Sequence, residues 1–273
     1  MLDECFSAFG TMTKAIEAFL VFKGAKPVAR LGISEKELPR VKRFCEKHKL
    51  DLEIADFKVT MDFDGEYSTK GYMVDRSSSM KGHLFVYLSK GKGDAERAKV
   101  AEQLQAYNVF GKILGYPECC RKFFVKNKPT EQILSNDYII PSLQNSRGLE
   151  FPFYNNIFGR YFDTTLLSHA PCSFNCNASK KIGKRYFTAL KGDSPGIARQ
   201  VEDVLRSIVI IGDEIILLPK YKGRRKITFP HVLTTKKTTL ANQLQKAKAI
   251  NIIDGRTFMV GDIKYSMPVL IFN

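Results

Sequence analysis

Apolar residues recur at helical spacing in the first half of the chain and follow strand patterns near its end. Over residues 2–22, Phe6 and Ile16 lie on one broad apolar face, which predicts a single helix that ends at Gly24. The other elements predicted before residue 92 are a strand over 27–33, a helix over 34–48, and strands over 52–63, 67–74 and 83–88. We therefore expect residues 1–92 to form a small α+β domain.

Local signals refine the bounds of these elements. Ser34 and Glu37 form a capping box that opens the second helix, and Pro39 shifts the expected start of that helix to a later residue. The strand that follows is broken near Ala55, and Asp64-Gly65 predicts a turn after it.

Residues 93–195 predict mainly helices, and two of these helices carry cysteines. The helical pattern over 93–114 ends at Gly115. Pro117 then opens another helix, because proline suits the first helical position. Further helices are predicted over 131–140 and 172–190. We expect this segment to be a helical cysteine-motif domain.

Residues 196–273 carry a strand-rich pattern after the clearest linker signal in the chain, Gly-Asp-Ser-Pro-Gly at 192–196. Asp254-Gly255 lies between apolar runs and predicts a hairpin turn. The predicted strands lie over 208–211, 215–218, 224–229, 250–253, 257–260 and 269–272, with helices over 197–206 and 239–249. The whole chain is therefore predicted to be an α+β protein of three domains.

Four of the six cysteines lie in two short segments. These are residues 115–120, Gly-Tyr-Pro-Glu-Cys-Cys, and residues 169–176, His-Ala-Pro-Cys-Ser-Phe-Asn-Cys. In each segment a proline precedes cysteines in the first turn of a predicted helix. The positive end of a helix dipole favours the thiolate, which is the form that binds metal and attacks electrophiles. We therefore expect the two segments to meet in one thiolate site.

Spacing limits the set of ligands. Cys172 and Cys176 are four residues apart and share one helix face, whereas the adjacent Cys119 and Cys120 point about 100° apart. The simplest ligand set is therefore Cys172, Cys176, one of the adjacent pair, and either His169 or the other cysteine. Such sulfur-rich sets suit zinc or an iron–sulfur cluster.

Two alternatives to a metal centre stay open. One is a cluster of inert, buried cysteines. The other is metal-free thiol chemistry, in which Cys119 or Cys120 is the catalytic nucleophile and His169 is the general base.

The two segments also resemble the motifs of a known family. LGYPECC at 114–120 and HxPCSxxC at 169–176 are similar to motifs of an uncharacterised, chiefly archaeal family with bacterial relatives, known only as a domain of unknown function. The resemblance covers about residues 80–190. It implies that the cysteine segments belong together, and it brings no established reaction.

A formal net charge of +15 and a pI near 9.5 indicate a polyanionic partner, for which we expect nucleic acid and RNA in particular. Basic residues flank both cysteine segments and form a third group in the strand-rich tail. The candidate nucleic-acid-binding residues are Arg121, Lys122, Lys181, Lys184, Arg185, Lys220, Lys222, Arg224, Arg225 and Lys226. The alternative is that these charges form a solvated surface.

The six cysteines are too few for a disulfide scaffold, and residues 1–20 lack the basic start of a secretory signal. We therefore expect a cytoplasmic protein, and no apolar run is long enough to predict a membrane span. Walker, dinucleotide-binding and nucleophile-elbow motifs are absent from the sequence.

The leading hypothesis is a metalloprotein that acts in RNA modification, for example of tRNA. The rival hypotheses are a non-catalytic nucleic-acid-binding module with a structural metal and a metal-free thiol redox protein.

Overall fold

The structure, a computed structural model, describes residues 1–61, 71–134 and 138–273, which form an α+β fold as the sequence predicts. The helices are α1 (Leu2–Phe9), α2 (Met12–Phe22), α3 (Leu38–His48), α4 (Asp94–Gln103), α5 (Tyr107–Ile113), α6 (Glu118–Leu134), α7 (Ile139–Gln144), α8 (Asn177–Asp193), α9 (Pro195–Leu205) and α10 (Thr239–Ala247). The strands are β1 (Val28–Ile33), β2 (Asp51–Met61), β3 (Gly71–Asp75), β4 (His83–Ser89), β5 (Glu150–Phe151), β6 (Ser207–Ile211), β7 (Ile215–Pro219), β8 (Lys226–Thr228), β9 (Leu233–Thr234), β10 (Ala249–Asp254), β11 (Thr257–Val260), β12 (Ile263–Ser266) and β13 (Val269–Phe272). Two short 3-10 helices, Phe153–Asn155 and Phe158–Phe162, follow β5. None of the described helices is long and apolar enough to cross a membrane.

The first sheet has the antiparallel order β1-β4-β2-β3 and is covered on both faces. Alternate residues of a strand point to opposite faces. Leu31 therefore joins the core shared with α1–α3, whereas Val28 packs with Ala98 of α4 on the other face. Arg30 extends from the same face as Val28 and forms an ion pair with Glu102 of α4.

A five-stranded sheet, β5-β13-β6-β7-β9, joins the C-terminal strands to the cysteine region. Val209 of β6 faces the large core, while Ile208 faces a second core shared with the third sheet, β12-β11-β10-β8. The large core takes residues from all three of the predicted domains, from Leu2 to Phe272. The three segments therefore share one core.

The helix predicted over 2–22 is divided into α1 and α2. Gly10 has a φ of +78°, a left-handed conformation that glycine adopts readily and that ends α1. Thr11 then caps α2, because its side-chain oxygen accepts a hydrogen bond from the backbone N–H of Lys14. The prediction of one helix was wrong because the apolar pattern continues across this turn.

Two other bounds differ from the prediction. The helical pattern over 93–114 is divided between α4 and α5 near Gln105, which has a φ of +53°. The predicted linker at 192–196 is a tight junction, in which α8 ends at Asp193 and α9 begins at Pro195. Only Ser194 separates the two helices, and Gly192 and Gly196 lie within them, so this signal marks a junction between helices rather than a linker.

Several local predictions are confirmed. The Glu37 carboxylate accepts hydrogen bonds from the backbone N–H and the hydroxyl of Ser34, and α3 begins at Leu38. The pairing of β2 with β4 shifts register between Ile54 and Lys58, where the break was predicted. Strands β10 and β11 pair as the predicted hairpin. The turn predicted at 64–65, and parts of the strands predicted on either side of it, lie outside the described residues.

Two glycines of α8 allow a matched test of the packing that supports the cysteine region. A Cβ atom at Gly183 would lie 2.9 Å from both the Cβ and the backbone oxygen of Tyr154 in the first 3-10 helix, whereas nothing lies within 4 Å of that position at Gly192. We expect Gly183→Ala to lower the free energy of unfolding by about 1–3 kcal/mol through overpacking. Gly192→Ala should leave it unchanged or raise it by up to about 1 kcal/mol, because alanine favours helix. Urea unfolding of both variants measures this, and equal effects of the two changes would contradict the packing described here.

Candidate metal centre

The first cysteine segment reaches the centre through a sharp turn before α6. Gly115 has a φ of +78°, and a Cβ atom there would lie 2.9 Å from Pro27. Pro117 follows and its carbonyl accepts a hydrogen bond from Arg121 N, so α6 begins at Glu118. Cys119 and Cys120 therefore lie in the first turn of α6, as the sequence predicts.

The second cysteine segment differs from the prediction. The helix predicted from Cys172 begins instead at Asn177, because residues 172–176 form a turn closed by a hydrogen bond from Cys176 N to Ser173 O. Cys176 is the N-cap of α8, and its sulfur accepts from Ser179 N at 3.5 Å. Cys172 lies in the loop rather than on a helical face, which lets it approach from a different direction.

The four cysteine sulfurs lie within 4.8 Å of one another. The Sγ atoms of Cys119 and Cys120 are 3.8 Å apart, and Cys176 Sγ is 3.7 Å from each of them. Cys172 completes the group, and its backbone N–H donates to Cys120 Sγ at 3.3 Å. The side chains of the adjacent Cys119 and Cys120 thus reach the same group of sulfurs, and the four cysteines together are close enough to bind one metal ion.

His169 lies behind the cysteines and outside this set of ligand atoms. Its Nε2 is 2.8 Å from the hydroxyl of Ser179, and that hydroxyl is 3.2 Å from Cys120 Sγ. Burial, and then the nearby positive charge of Lys26, lower the pKa of His169 to about 3, so the ring is neutral. Of the two ligand sets that the spacing left open, the structure assembles the one with four cysteines.

Hydrogen bonds among the thiols shift their pKa values in opposite directions. The thiols of Cys120 and Cys172 hold the pKa of Cys176 well below its ordinary value, whereas the bonds with Cys172 and then with Cys176 raise the pKa of Cys120. For Cys172 the bond with Cys120 lowers the pKa, but the bond with Cys176 and burial outweigh it and raise the pKa to about 12. Among these three cysteines the shifts favour a single thiolate, at Cys176.

Buried polar side chains fix the loop that carries Cys172 and Cys176. The amide nitrogen of Asn155, which is fully buried, donates to the backbone oxygens of Phe174 and Cys176, each at 3.0 Å. The hydroxyl of Ser142 donates to Pro171 O at 2.8 Å. Sequence reasoning missed these residues and Ser179, because an isolated Asn or Ser carries no local signal for a contact made across the fold.

The other two cysteines lie apart from the centre. Cys5 in α1 and Cys45 in α3 are buried in the large core. Burial raises the pKa of each thiol to about 12. They behave as small apolar side chains, which is the usual role of a buried free cysteine.

The candidate nucleic-acid-binding residues fall into two kinds of environment. Arg121 points inward, where its Nη1 donates to Asn108 O at 3.0 Å. Lys122 pairs with Glu118 at 2.6 Å, and Lys220 pairs with Asp203 at 2.9 Å. The residues that are exposed and in no ion pair with a described side chain are Lys181, Lys184, Arg185, Lys222, Arg224, Arg225 and Lys226.

A cavity of about 340 Å³ adjoins the centre. Cys120 forms part of its wall, together with Ser168 and the buried His169. Cys119 of the cluster is exposed to solvent, whereas the buried Cys120 faces the cavity.

Comparison with known proteins found no relatives. No family model matches the sequence, and searches of the curated proteins and of the solved structures found no match. The resemblance to the archaeal family therefore stays a prediction.

Alkylation distinguishes the two groups of cysteines. In native protein treated with a zinc chelator at pH 8, we expect iodoacetamide to modify the exposed Cys119 while Cys5 and Cys45 stay unmodified, because burial shields them and raises their pKa values to about 12. Peptide mass spectrometry measures this, and protein unfolded in urea, in which all six should react, is the control. Modification of Cys5 at the rate of Cys119 in native protein would show that the division is wrong.

Proposed function

We propose that the four cysteines hold one zinc ion. The observation that carries this proposal is the spacing of the sulfurs, 3.7–3.8 Å for the three measured pairs. In a regular tetrahedron with Zn–S bonds of 2.3 Å, neighbouring sulfurs are about 3.8 Å apart. The sulfurs of Cys119, Cys120 and Cys176 thus already have the separation that a single tetrahedral ion imposes, and Cys172 Sγ lies within 4.8 Å of each of them.

An iron–sulfur cluster fits this spacing less well. A cluster places several iron and sulfide atoms between its cysteines, so it spreads the ligand sulfurs farther apart than a single ion does. A single iron ion would occupy the same tetrahedron as zinc, but it would colour the protein. Soft thiolate ligands argue against magnesium and calcium.

Four protein ligands leave no open position on the ion, which favours a structural role. Such an ion joins the start of α6 to the loop before α8, between Cys120 and Cys172, which are 52 residues apart. Cys119 and Cys120 then act as ligands rather than nucleophiles. Thiolate ligands must stay reduced, so we also propose a reducing compartment such as the cytoplasm.

We propose RNA as the partner. The connection between β7 and β8 presents Lys222, Arg224 and Arg225 to solvent, and Lys226 follows as the first residue of β8. None of the four has an ion-pair partner among the described side chains. A compact group of free cations on a chain of net charge +15 suits a phosphate backbone. We place any chemistry on RNA, such as tRNA modification, in the cavity beside Cys120 rather than at the ion.

The zinc proposal predicts about one zinc per chain in protein purified under reducing conditions. Cys176→Ser should remove the metal, because serine is a poor zinc ligand and Cys176 contacts both cysteines of α6. Cys5→Ala should keep the metal, since Cys5 lies in the core. Elemental analysis with an ultraviolet–visible spectrum measures this. Visible absorption from bound iron, or full zinc in Cys176→Ser, would contradict the assignment.

The RNA proposal predicts an affinity that falls steeply with salt, because each neutralised phosphate releases a counterion. Changing Lys222, Arg224, Arg225 and Lys226 to Gln should reduce the slope of log affinity against log salt by about one unit for each lost phosphate contact. A control variant changes Lys36, Lys42, Arg43 and Lys49, which are exposed at or next to α3, and has the same net charge. Filter binding with tRNA across a salt range measures both variants. Equal slopes for the two variants would show that the positive charge acts only as a solvated surface.

A further inference from the structure

The cavity beside the metal centre has features of a ligand pocket. It lies between α5, α6 and residues 168–170, and its volume is about 340 Å³. That is near the lower end of the range for small-molecule sites. It therefore has room for one small ligand of roughly nucleotide size.

Two arginines that line this cavity, Arg121 and Arg160, form no ion pair with a described side chain. Nε of Arg121 and Nη2 of Arg160 are buried and have no hydrogen-bond partner among the described residues. Each guanidinium is held in place by another of its nitrogens, since Arg121 Nη1 donates to Asn108 O and Arg160 Nε donates to Ile157 O. A buried donor without a partner costs about 1–3 kcal/mol, and more when it is charged. An anion in the cavity would neutralise the charge of both guanidinium groups.

Two other cations near the cavity, Arg30 and Lys26, differ from Arg121 and Arg160 because ion pairs already neutralise them. Arg30 pairs with Glu102 at 2.6 Å and lies over the ring of Phe85. Lys26 is buried and pairs with Glu17. The positive charge left for a ligand is therefore that of Arg121 and Arg160, which together suit one phosphate group.

Aromatic side chains form much of the remaining wall. Tyr107, Phe110, Tyr116 and Phe124 line the cavity and are half-buried, so each keeps some ring surface that a ligand can cover. Flat heterocycles stack on such rings with little dependence on their identity. The wall thus combines an anion site with surfaces for a flat ring, which is the chemistry of a nucleotide.

We propose that this cavity binds a single nucleotide, with its phosphate on Arg121 and Arg160 and its base against the aromatic wall. The inference deepens the proposed function and rests on it in one respect, namely that the nucleotide comes from an RNA strand. A nucleotide turned out of its stack can enter a pocket that a duplex cannot. The basic connection between β7 and β8 then binds the RNA backbone, and the cavity binds one nucleotide of that RNA.

Isothermal titration of the full-length protein with AMP, GMP, CMP and UMP tests this proposal. We expect at least one mononucleotide to bind at one site per chain, and Arg160→Gln to weaken that binding about tenfold or more, the usual effect of losing a charged hydrogen bond. Arg256→Gln is the matched control, because Arg256 is exposed in the β10–β11 turn and does not line the cavity. Zinc content and thermal unfolding show whether each variant is folded, and Arg121→Gln serves if Arg160→Gln is not.

The arms of the experiment separate the parts of the proposal. Inorganic phosphate or a nucleoside binding as tightly as the mononucleotide would overturn the assignment to a nucleotide, and so would equal losses in Arg160→Gln and Arg256→Gln. If no mononucleotide binds while tRNA still does, the pocket proposal fails and the RNA proposal stands. If mononucleotides bind and tRNA does not, RNA as the source of the nucleotide is wrong.

Discussion

Repulsion among four crowded sulfurs is the constraint on which this structure depends. The ligand atoms of Cys119, Cys120, Cys172 and Cys176 lie within 4.8 Å of one another, and at that range like charges repel strongly in a partly buried site. Hydrogen bonds stabilise one thiolate, at Cys176, and raise the pKa values of Cys120 and Cys172. A cation among the sulfurs removes the conflict. Its binding free energy then contributes to folding, because the unfolded chain does not bring these segments together.

The position of the second cysteine segment depends on contacts with the C-terminal strand and Asn273. Asn155, which holds the backbone of Phe174 and Cys176, belongs to a 3-10 helix that follows β5 directly. Strand β5 is paired by the last strand, β13, and Asn273 exchanges backbone hydrogen bonds with Phe151 and Phe153. The strand-rich tail is therefore part of the support for the cysteine loop. This dependence explains why one core runs through all three segments.

The sequence alone predicts the local parts of the centre and leaves out those that depend on tertiary contacts. Pro117 and the cysteines after it signal a helix start, and the structure has that start. The second helix was predicted five residues too early, since the cysteine spacing suits a helix face equally well. In the structure residues 172–176 form a turn, and Asn155 holds its backbone from across the fold. Arg121 sits in a run of basic residues that suggests a solvated face. Its inward direction follows from the packing of α5 on α6, which no local pattern encodes.

Cys120 connects the proposed zinc centre to the proposed nucleotide pocket. Its sulfur belongs to the ligand set, its residue lines the cavity, and its contact with Ser179 leads to the neutral ring of His169 in the same wall. A ligand and an ion that share a wall affect each other's affinity by the same factor, since coupling between two binding equilibria is reciprocal. A structural ion in this position would therefore do more than stabilise the fold. Because Cys120 also lines the cavity, an ion bound to its sulfur would hold one side of the proposed pocket in place.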